Sequence, residues 1–190
     1  MERKLYFFLK MYSMKKIVLS AGALLVLAVA FAFTAIQGWQ IGDKYNITFS
    51  SADVSGIFKK CAGTILFDEK NLAQAKFDVS IEVGSINTGN ALQNKHAKGE
   101  EWFDAAKFPL IKFTSSRIAK AGAGYTATGT LEIKGVKKEL TLPFNFKQAG
   151  NAGTFTGTFN INRNDFHIGK AGGDVAEQIK VEVNIPVVKK

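Results

Sequence analysis

Residues 85–113 read SINTGNALQNKHAKGEEWFDAAKFPLIKF, and they are the longest interruption of a sequence in which apolar residues otherwise recur at every second position. Inside this stretch the spacing becomes helical, with about 3.6 residues between positions on one face. The residues on that face are Leu92, His96, Gly99 and Phe103. Pro109 then favours an extended backbone at Phe108, so a strand resumes at Leu110. We predict a short helical segment that covers one end of a β structure, and we call residues 85–113 the covering segment.

On both sides of the covering segment, apolar and polar residues alternate, which indicates strands with one buried apolar face and one solvent-exposed polar face. The predicted strands are 39–49, with a kink at Gly42 and Asp43, then 57–67, 77–83, 110–118, 125–133, 140–146, 155–161 and 179–187. Closing eight such strands into a barrel buries every apolar face and removes the sheet edges. We therefore predict an all-β fold, an eight-stranded antiparallel barrel with a short helical covering segment.

The inside of an eight-stranded barrel is just wide enough to be filled by side chains or to hold one slender ligand. Small residues fall on or near the inward positions of the predicted strands, namely Cys61, Ala62, Gly63, Ala127, Gly129 and Gly157. Small inward residues leave volume that a packed core normally fills, which favours an apolar tunnel. Glycine in a strand also marks bends of a barrel wall, so both interpretations stay open at this point.

Charge and cysteine content narrow the function classes. Beyond residues 1–35 the chain has 20 basic and 15 acidic residues, a net charge of +5, with only two arginines, Arg117 and Arg163. Because the lysines are scattered over turns and outward strand positions, we predict no nucleic-acid partner. Cys61 is the sole cysteine, which excludes an internal disulfide and leaves no cysteine motif for a metal or for redox chemistry.

Residues 1–35 have the pattern of an export signal. Met14, Lys15 and Lys16 precede an apolar run over residues 17–36 that contains Ala-x-Ala cleavage patterns. Translation from Met14 would make residues 1–13 dispensable. A run of about 20 apolar residues also suffices to span a bilayer, so an anchor at residues 17–36 is the alternative to a cleaved signal peptide. In both cases we expect residues 36–190 to form one exported domain, in the periplasm or otherwise outside the cytoplasmic membrane.

Five sequence motifs follow one another along residues 39–188. They are Trp39-x-Ile41, SINTGN at 85–90, WFDAAKFPLIKFTSS at 102–116, GTLEIKGVKKELTLP at 129–143 and INRNDFHIG at 161–169. Together they resemble the YceI-like family of exported proteins. The resemblance implies a lipocalin-like barrel without catalysis, whose lumen takes up the chain of an isoprenoid lipid such as a quinone or a polyprenyl phosphate. It implies no cofactor other than such a lipid.

If the resemblance holds, binding is mainly apolar transfer, at about 0.8 kcal/mol for each buried CH₂. The predicted ligand-binding residues of the lumen are Phe49, Phe67, Phe77, Leu131, Phe144, Phe159 and Val183. The predicted mouth or gate, formed by the covering segment and the last motif, consists of His96, Trp102, Phe103, Phe108, Arg163, Asp165 and His167. The alternatives are ordinary core packing for the lining residues and a structural ion pair for Arg163 and Asp165.

Other functions compete with a lipid carrier. The residues from which an acid–base or metal site could be built are His96, His167, Asp104 and Asp165. No H-x-H, H-E-x-x-H or G-x-S-x-G motif accompanies them, so we predict neither an enzyme nor a metal protein. A filled barrel would be a scaffold or stress-related protein without a ligand. An outer-membrane barrel would need girdles rich in Tyr and Trp, and the chain has only four Tyr and two Trp. A transient contact with a membrane surface or membrane protein, and a homodimer, are further hypotheses.

Overall fold

A computed structural model describes residues 36–190, and this range contains eleven strands and one α-helix. The strands are β1 Gly38–Ile41, β2 Asn46–Ser50, β3 Ser55–Phe58, β4 Cys61–Leu66, β5 Lys76–Glu82, β6 Ile86–Asn87, β7 Leu110–Ala121, β8 Gly124–Ile133, β9 Val136–Ala149, β10 Ala152–Asn162 and β11 Gln178–Lys189. The helix is α1, Ala91–Lys98. The predicted export signal lies outside the described residues. Within the described range, no helix has the length and hydropathy needed to cross a bilayer.

The eleven strands form a barrel wall of eight strand positions. Three of these positions are each occupied by two short strands in line: β1 and β2, β3 and β4, and β5 and β6. β1 and β2 pair with opposite ends of β11, through Trp39 opposite Lys189 and Phe49 opposite Val181. β4 pairs with β1 and β3 with β2, while β6 continues the line of β5 by pairing with β3. The ring runs β1, β4, β5, β7, β8, β9, β10, β11 and back to β1, always antiparallel. The predicted eight-stranded antiparallel barrel is confirmed.

The break between β1 and β2 falls at the predicted kink, and one tyrosine bridges the matching break between β3 and β4. The Gly42 amide continues the β1–β11 register by donating to the carbonyl oxygen of Pro186 at 2.8 Å. Across the break between β3 and β4, the Tyr45 hydroxyl donates to the Lys59 carbonyl at 2.7 Å and accepts from the Cys61 amide at 2.8 Å. The hydroxyl thus supplies hydrogen-bond partners for two backbone groups at the break.

One end of the barrel is filled by aromatic rings, which we call the aromatic plug: Trp39, Phe67, Phe77, Tyr125, Phe144, Phe146 and Phe155. Phe67 is the centre of the plug, fully buried, with five ring centroids of the others 5.1–6.2 Å away. The Trp39 indole donates to the Phe67 carbonyl oxygen at 2.8 Å. Burial, together with a hydrogen bond to Glu69, raises the pKa of Tyr125 to about 12. Edge-to-face packing of this kind closes the end tightly.

The covering segment lies at the other end of the barrel and contains α1. The Asn90 side chain caps α1 by accepting from the amides of Leu92 and Gln93 at 2.9 and 3.1 Å. The helix ends at Lys98, earlier than a face running to Phe103 requires. Leu92 is 61% exposed, so it lies on the outer side, and the predicted helical face was wrong at this position. The periodic signal failed because α1 spans only eight residues, so a face drawn from residue 92 to residue 103 extends beyond the helix.

Candidate ligand-binding cavity

A cavity of about 430 Å³ lies between the aromatic plug and the covering segment, and its walls are almost entirely apolar. Six of the seven predicted lining residues border it: Phe49, Phe77, Leu131, Phe144, Phe159 and Val183. The seventh, Phe67, does not, because it is fully enclosed by the other rings of the plug. Isoleucine is the commonest residue in the remaining wall, with eleven positions that include Ile86, Ile133 and Ile179. The predicted lining was mainly phenylalanine, with Leu131 and Val183, and it missed these isoleucines.

The glycines proposed to create the lumen act mainly on the barrel wall. A Cβ on Gly129 would stand 2.3 Å from the Thr114 carbonyl oxygen, and one on Gly63 would stand 2.3 Å from that of Asp78. Both glycines therefore allow close approach of neighbouring strands, and Gly129 lies where a bulge shifts the β7–β8 register at Ser115. Only Cys61 and Ala127 among the small residues predicted to be inward border the cavity. Burial raises the pKa of the Cys61 thiol to about 11, which fits this apolar wall.

His96, Trp102 and Phe103 of the covering segment border the cavity, and we call this end of the cavity the mouth. Phe108 is elsewhere: its ring lies against the β8–β9 turn, 2.7 Å from where a Cβ on Gly135 would stand. Asp165 and His167 are exposed and do not border the cavity. None of these three residues borders the cavity, as the prediction required: Phe108 and His167 lie in connecting segments and Asp165 in a short 3₁₀ helix, where neither strand nor α-helix periodicity determines the direction of a side chain.

Arg163 borders the mouth and is only 3% exposed. Its Nε donates to the carbonyl oxygens of Val175 and Ala176 at 3.2 Å, and its Nη2 donates to that of Val175 at 2.7 Å. Its Nη1 donates to the Ile168 carbonyl at 2.8 Å and to Asn164 Oδ1 at 3.0 Å. Its guanidinium carbon also lies 5.7 Å from the centre of the Trp102 ring. The side chain thus joins the end of β10 to the segment before β11.

The charge of Arg163 is not neutralised by a carboxylate. Across residues 36–190, the ion pairs within 4.0 Å are all formed by lysines, so the alternative of an Arg163–Asp165 pair is wrong. Nη2 carries two N–H groups and has one acceptor among the described residues. The mouth therefore contains a buried positive charge and one Nη2 N–H group that can donate to a ligand. The rest of the cavity offers almost no polar contact.

Other polar groups at the mouth come from two loops and from α1, which sequence reasoning did not connect. Asp53 Oδ2 accepts from the Ala176 amide at 2.9 Å, and both Asp53 and Gln93 border the cavity. No sequence signal links Asp53 to Ala176, since 123 positions separate them. Within the described part of the chain, no three His, Cys, Asp or Glu side chains come together as a metal site.

Comparison with known proteins agrees with this architecture. Residues 35–187 match the profile of the YceI-like domain. A UPF0312 protein of Yersinia enterocolitica is 33% identical over 141 residues, which cover 70% of this chain and 73% of that protein. The crystal structure of Burkholderia cenocepacia BcnA superposes with a TM-score of 0.72 at 32% identity, covering 75% of this chain and 96% of BcnA. A polyisoprenoid binding domain from Saccharophagus degradans has the same fold, with a TM-score of 0.59 at 15% identity over 80% of this chain and 98% of that domain. The chain belongs to the YceI-like family.

Proposed function

We propose that this protein is an exported, non-catalytic carrier that holds the isoprenoid tail of a lipid, of the quinone or polyprenyl phosphate type, inside the barrel. The observation that carries the proposal is the apolar cavity of about 430 Å³. That volume is within the range of ~300–1,000 Å³ typical of small-molecule sites. Isoleucine and phenylalanine walls match a hydrocarbon chain in polarity.

The polarity of the walls supports a ligand over a barrel without one. Water gains little in this space, because the walls offer it almost no hydrogen-bond partners. A hydrocarbon chain that enters it leaves water, at about 25 cal/mol per Å² of buried apolar surface. A scaffold without a ligand has no use for such a space.

The tail alone supplies enough binding energy. A five-carbon prenyl unit contributes about 4 kcal/mol when fully buried, at ~0.8 kcal/mol per CH₂-sized group. Association costs about 4–15 kcal/mol, so a few buried units are needed before binding becomes useful. The Saccharophagus domain, described as polyisoprenoid binding, shares the fold that encloses the cavity. This likeness supports the ligand class we propose.

We assign the head group to the mouth, next to Arg163. A buried guanidinium without a carboxylate partner favours an oxygen-rich or anionic group, such as a quinone carbonyl or a phosphate. His96, Trp102 and Phe103 complete this side of the site. Export rests on the apolar run in residues 17–36 and places the carrier next to the membranes that hold such lipids.

A cavity-filling variant tests the function. Ala127→Leu adds bulk on the cavity wall, since Ala127 is buried there, and Ala149→Leu adds the same bulk at an exposed position of β9. We titrate the delipidated full chain with a long-chain prenyl benzoquinone and follow tryptophan fluorescence. We expect saturable quenching with wild type and Ala149→Leu. We expect at least about tenfold weaker binding with Ala127→Leu, because the leucine side chain displaces more than one prenyl carbon from the cavity. Equal affinity in all three proteins, or no binding by wild type, would refute the proposal.

A further inference from the structure

The barrel wall has one long gap in its hydrogen-bonded pairing, between β9 and β10. These strands pair only from Asn145–Ala149 to Ala152–Thr156. Beyond that point, residues 136–144 of β9 pair with β8, and residues 157–162 of β10 pair with β11. Within the described residues, no backbone pairing joins these two stretches to each other. We call this gap the seam.

Pro143 explains where the seam begins. Proline has no N–H, so it removes a ladder hydrogen bond wherever its backbone faces a neighbouring strand. The Pro143 carbonyl oxygen lies 2.8 Å from where a Cβ on Gly157 would stand, so this part of β9 faces β10. The missing donor is therefore on the seam side. Gly157 allows the two strands to stay close there, because any larger residue would press on the Pro143 carbonyl.

The cavity and an outer groove share residues where the seam begins. Pro143 and Thr156 alternate with the inward residues Phe144 and Phe155, and so belong to the outer face, yet both border the internal cavity. An outer groove of about 510 Å³ lies against the same place. The groove and the cavity share Pro143, Phe144, Thr156 and Val183. Thr156 is the last residue of β10 that pairs with β9, so the groove and the cavity border the same residues at the point where this pairing ends.

The covering segment, by contrast, is held to its neighbours by hydrogen bonds. Lys134 Nζ and the Gly169 amide both donate to the Glu101 carbonyl oxygen, at 3.1 and 2.9 Å. β6, at the start of the segment, pairs with β3. Lifting the covering segment breaks such bonds, whereas separating the seam breaks no backbone pairing. Because each net hydrogen bond slows opening by roughly fivefold, we expect the seam to open more often.

We propose that the seam is the port through which the hydrocarbon tail enters and leaves the cavity, while the covering segment stays closed as a cap. This inference rests on the proposed carrier function and changes the role predicted for the covering segment from a gate to a fixed wall. A flexible isoprenoid chain fits such a port, because it can slide sideways between two strands. The outer groove gives water access to the first of the unpaired backbone groups, at Pro143, Phe144, Gly157 and Thr158.

Two substitutions at the seam test the port in opposite directions. Pro143→Thr restores a backbone donor that can bond across to β10, and Gly157→Ala places a methyl group against the Pro143 carbonyl and pushes the strands apart. Pro186→Thr is the matched control, since Pro186 lies in β11 opposite Thr154 and borders neither the cavity nor the groove. We mix each delipidated full-length protein with phosphatidylcholine vesicles carrying a long-chain prenyl benzoquinone. Quenching of the fluorescence of Trp102, which borders the cavity, reports uptake of the quinone. Recovery of that fluorescence, when loaded protein is mixed with quinone-free vesicles, reports release.

We expect uptake and release to slow together by roughly fivefold in Pro143→Thr, for one added hydrogen bond, and to accelerate together in Gly157→Ala. Pro186→Thr should exchange at the wild-type rate. Wild-type rates in both seam variants would overturn the port and leave the carrier function standing. Absence of uptake by wild type would overturn the carrier function and the port with it.

Amide hydrogen exchange on the wild-type protein gives a second test that needs no variant. Along residues 136–144 the amides alternate between facing β8 and facing the seam. We expect fast exchange for the seam-facing amides and slow exchange for the others. Uniform slow exchange would show that the seam is paired in solution and would overturn the port.

Discussion

The two ends of this barrel are built from the same alternating strands and differ in what their inward residues fill. At the plug, Trp39, Phe67, Tyr125 and Phe146 meet ring to ring and leave no space. Toward the covering segment, the lining includes eleven isoleucines, whose side chains are shorter than the rings of the plug, and a cavity of about 430 Å³ remains between the walls. The comparison teaches that periodicity determines which face is inside, while side-chain length determines whether the inside is full.

The largest loss of stability should come from removing the central ring of the aromatic plug. Phe67→Ala removes a fully buried ring that touches five others, and we expect it to lower the free energy of unfolding by about 4 kcal/mol. Phe159→Ala, on the cavity wall, is the matched variant. Its ring already borders free space, so we expect a loss of about 1 kcal/mol together with weaker lipid binding. Chemical denaturation of the lipid-free proteins measures both, and equal losses would remove the distinction between the two ends.

A smaller effect is expected at the mouth. Arg163→Gln leaves buried carbonyl oxygens such as those of Val175 and Ile168 without donors, which should cost about 2–3 kcal/mol. Arg117→Gln, at an exposed arginine of β7, should change stability by less than about 0.5 kcal/mol.

Ligand binding separates a head-group role of Arg163 from a purely structural one. If Arg163 contacts the head group, Arg163→Gln weakens binding of a polyprenyl phosphate about tenfold more than binding of the headless hydrocarbon squalene, a difference of one charged hydrogen bond. Titration of both ligands against both arginine variants gives the comparison. An equal loss for the two ligands would assign Arg163 to structure alone.

The smallest expected effect is a loss of folding stability at alkaline pH. Burial raises the pKa of Cys61 to about 11 from an ordinary value near 9, so the neutral thiol is the form that the fold favours. Its contribution to stability is complete below pH 9 and is lost as the pH rises toward 11. We therefore expect wild type to lose more stability between pH 9 and 11 than Cys61→Ala does. Denaturation midpoints across this range measure it, and identical curves would mean that Cys61 is not enclosed by the cavity wall.

Much of the fold could be predicted because alternation is a local property of the sequence. Residues such as Phe77, Leu131 and Val183 point inward for that reason, and six of the seven predicted lining residues border the cavity. Phe67 has the same periodicity but packs into the plug, because its depth along the barrel depends on strand register between distant residues. Register of this kind is not encoded in any short window.

The mouth was harder to predict because its residues come from loops that meet only in three dimensions. Phe108, Asp165 and His167 lie near mouth residues in sequence but turn away in space. Asp53 was missed because its partner, Ala176, is distant in the chain. Pro143 did carry a usable signal, since a proline inside a predicted central strand marks a place where pairing stops. The seam could have been predicted from that residue.

The most direct test of the central claim is to purify the full chain from its own host and examine it by native mass spectrometry, followed by organic extraction. The account predicts a protein mass increased by one prenyl lipid, which is released on extraction and is present on a smaller fraction of Ala127→Leu prepared in the same way. A lipid-free mass for the wild-type protein, with no prenyl compound in the extract, would contradict it.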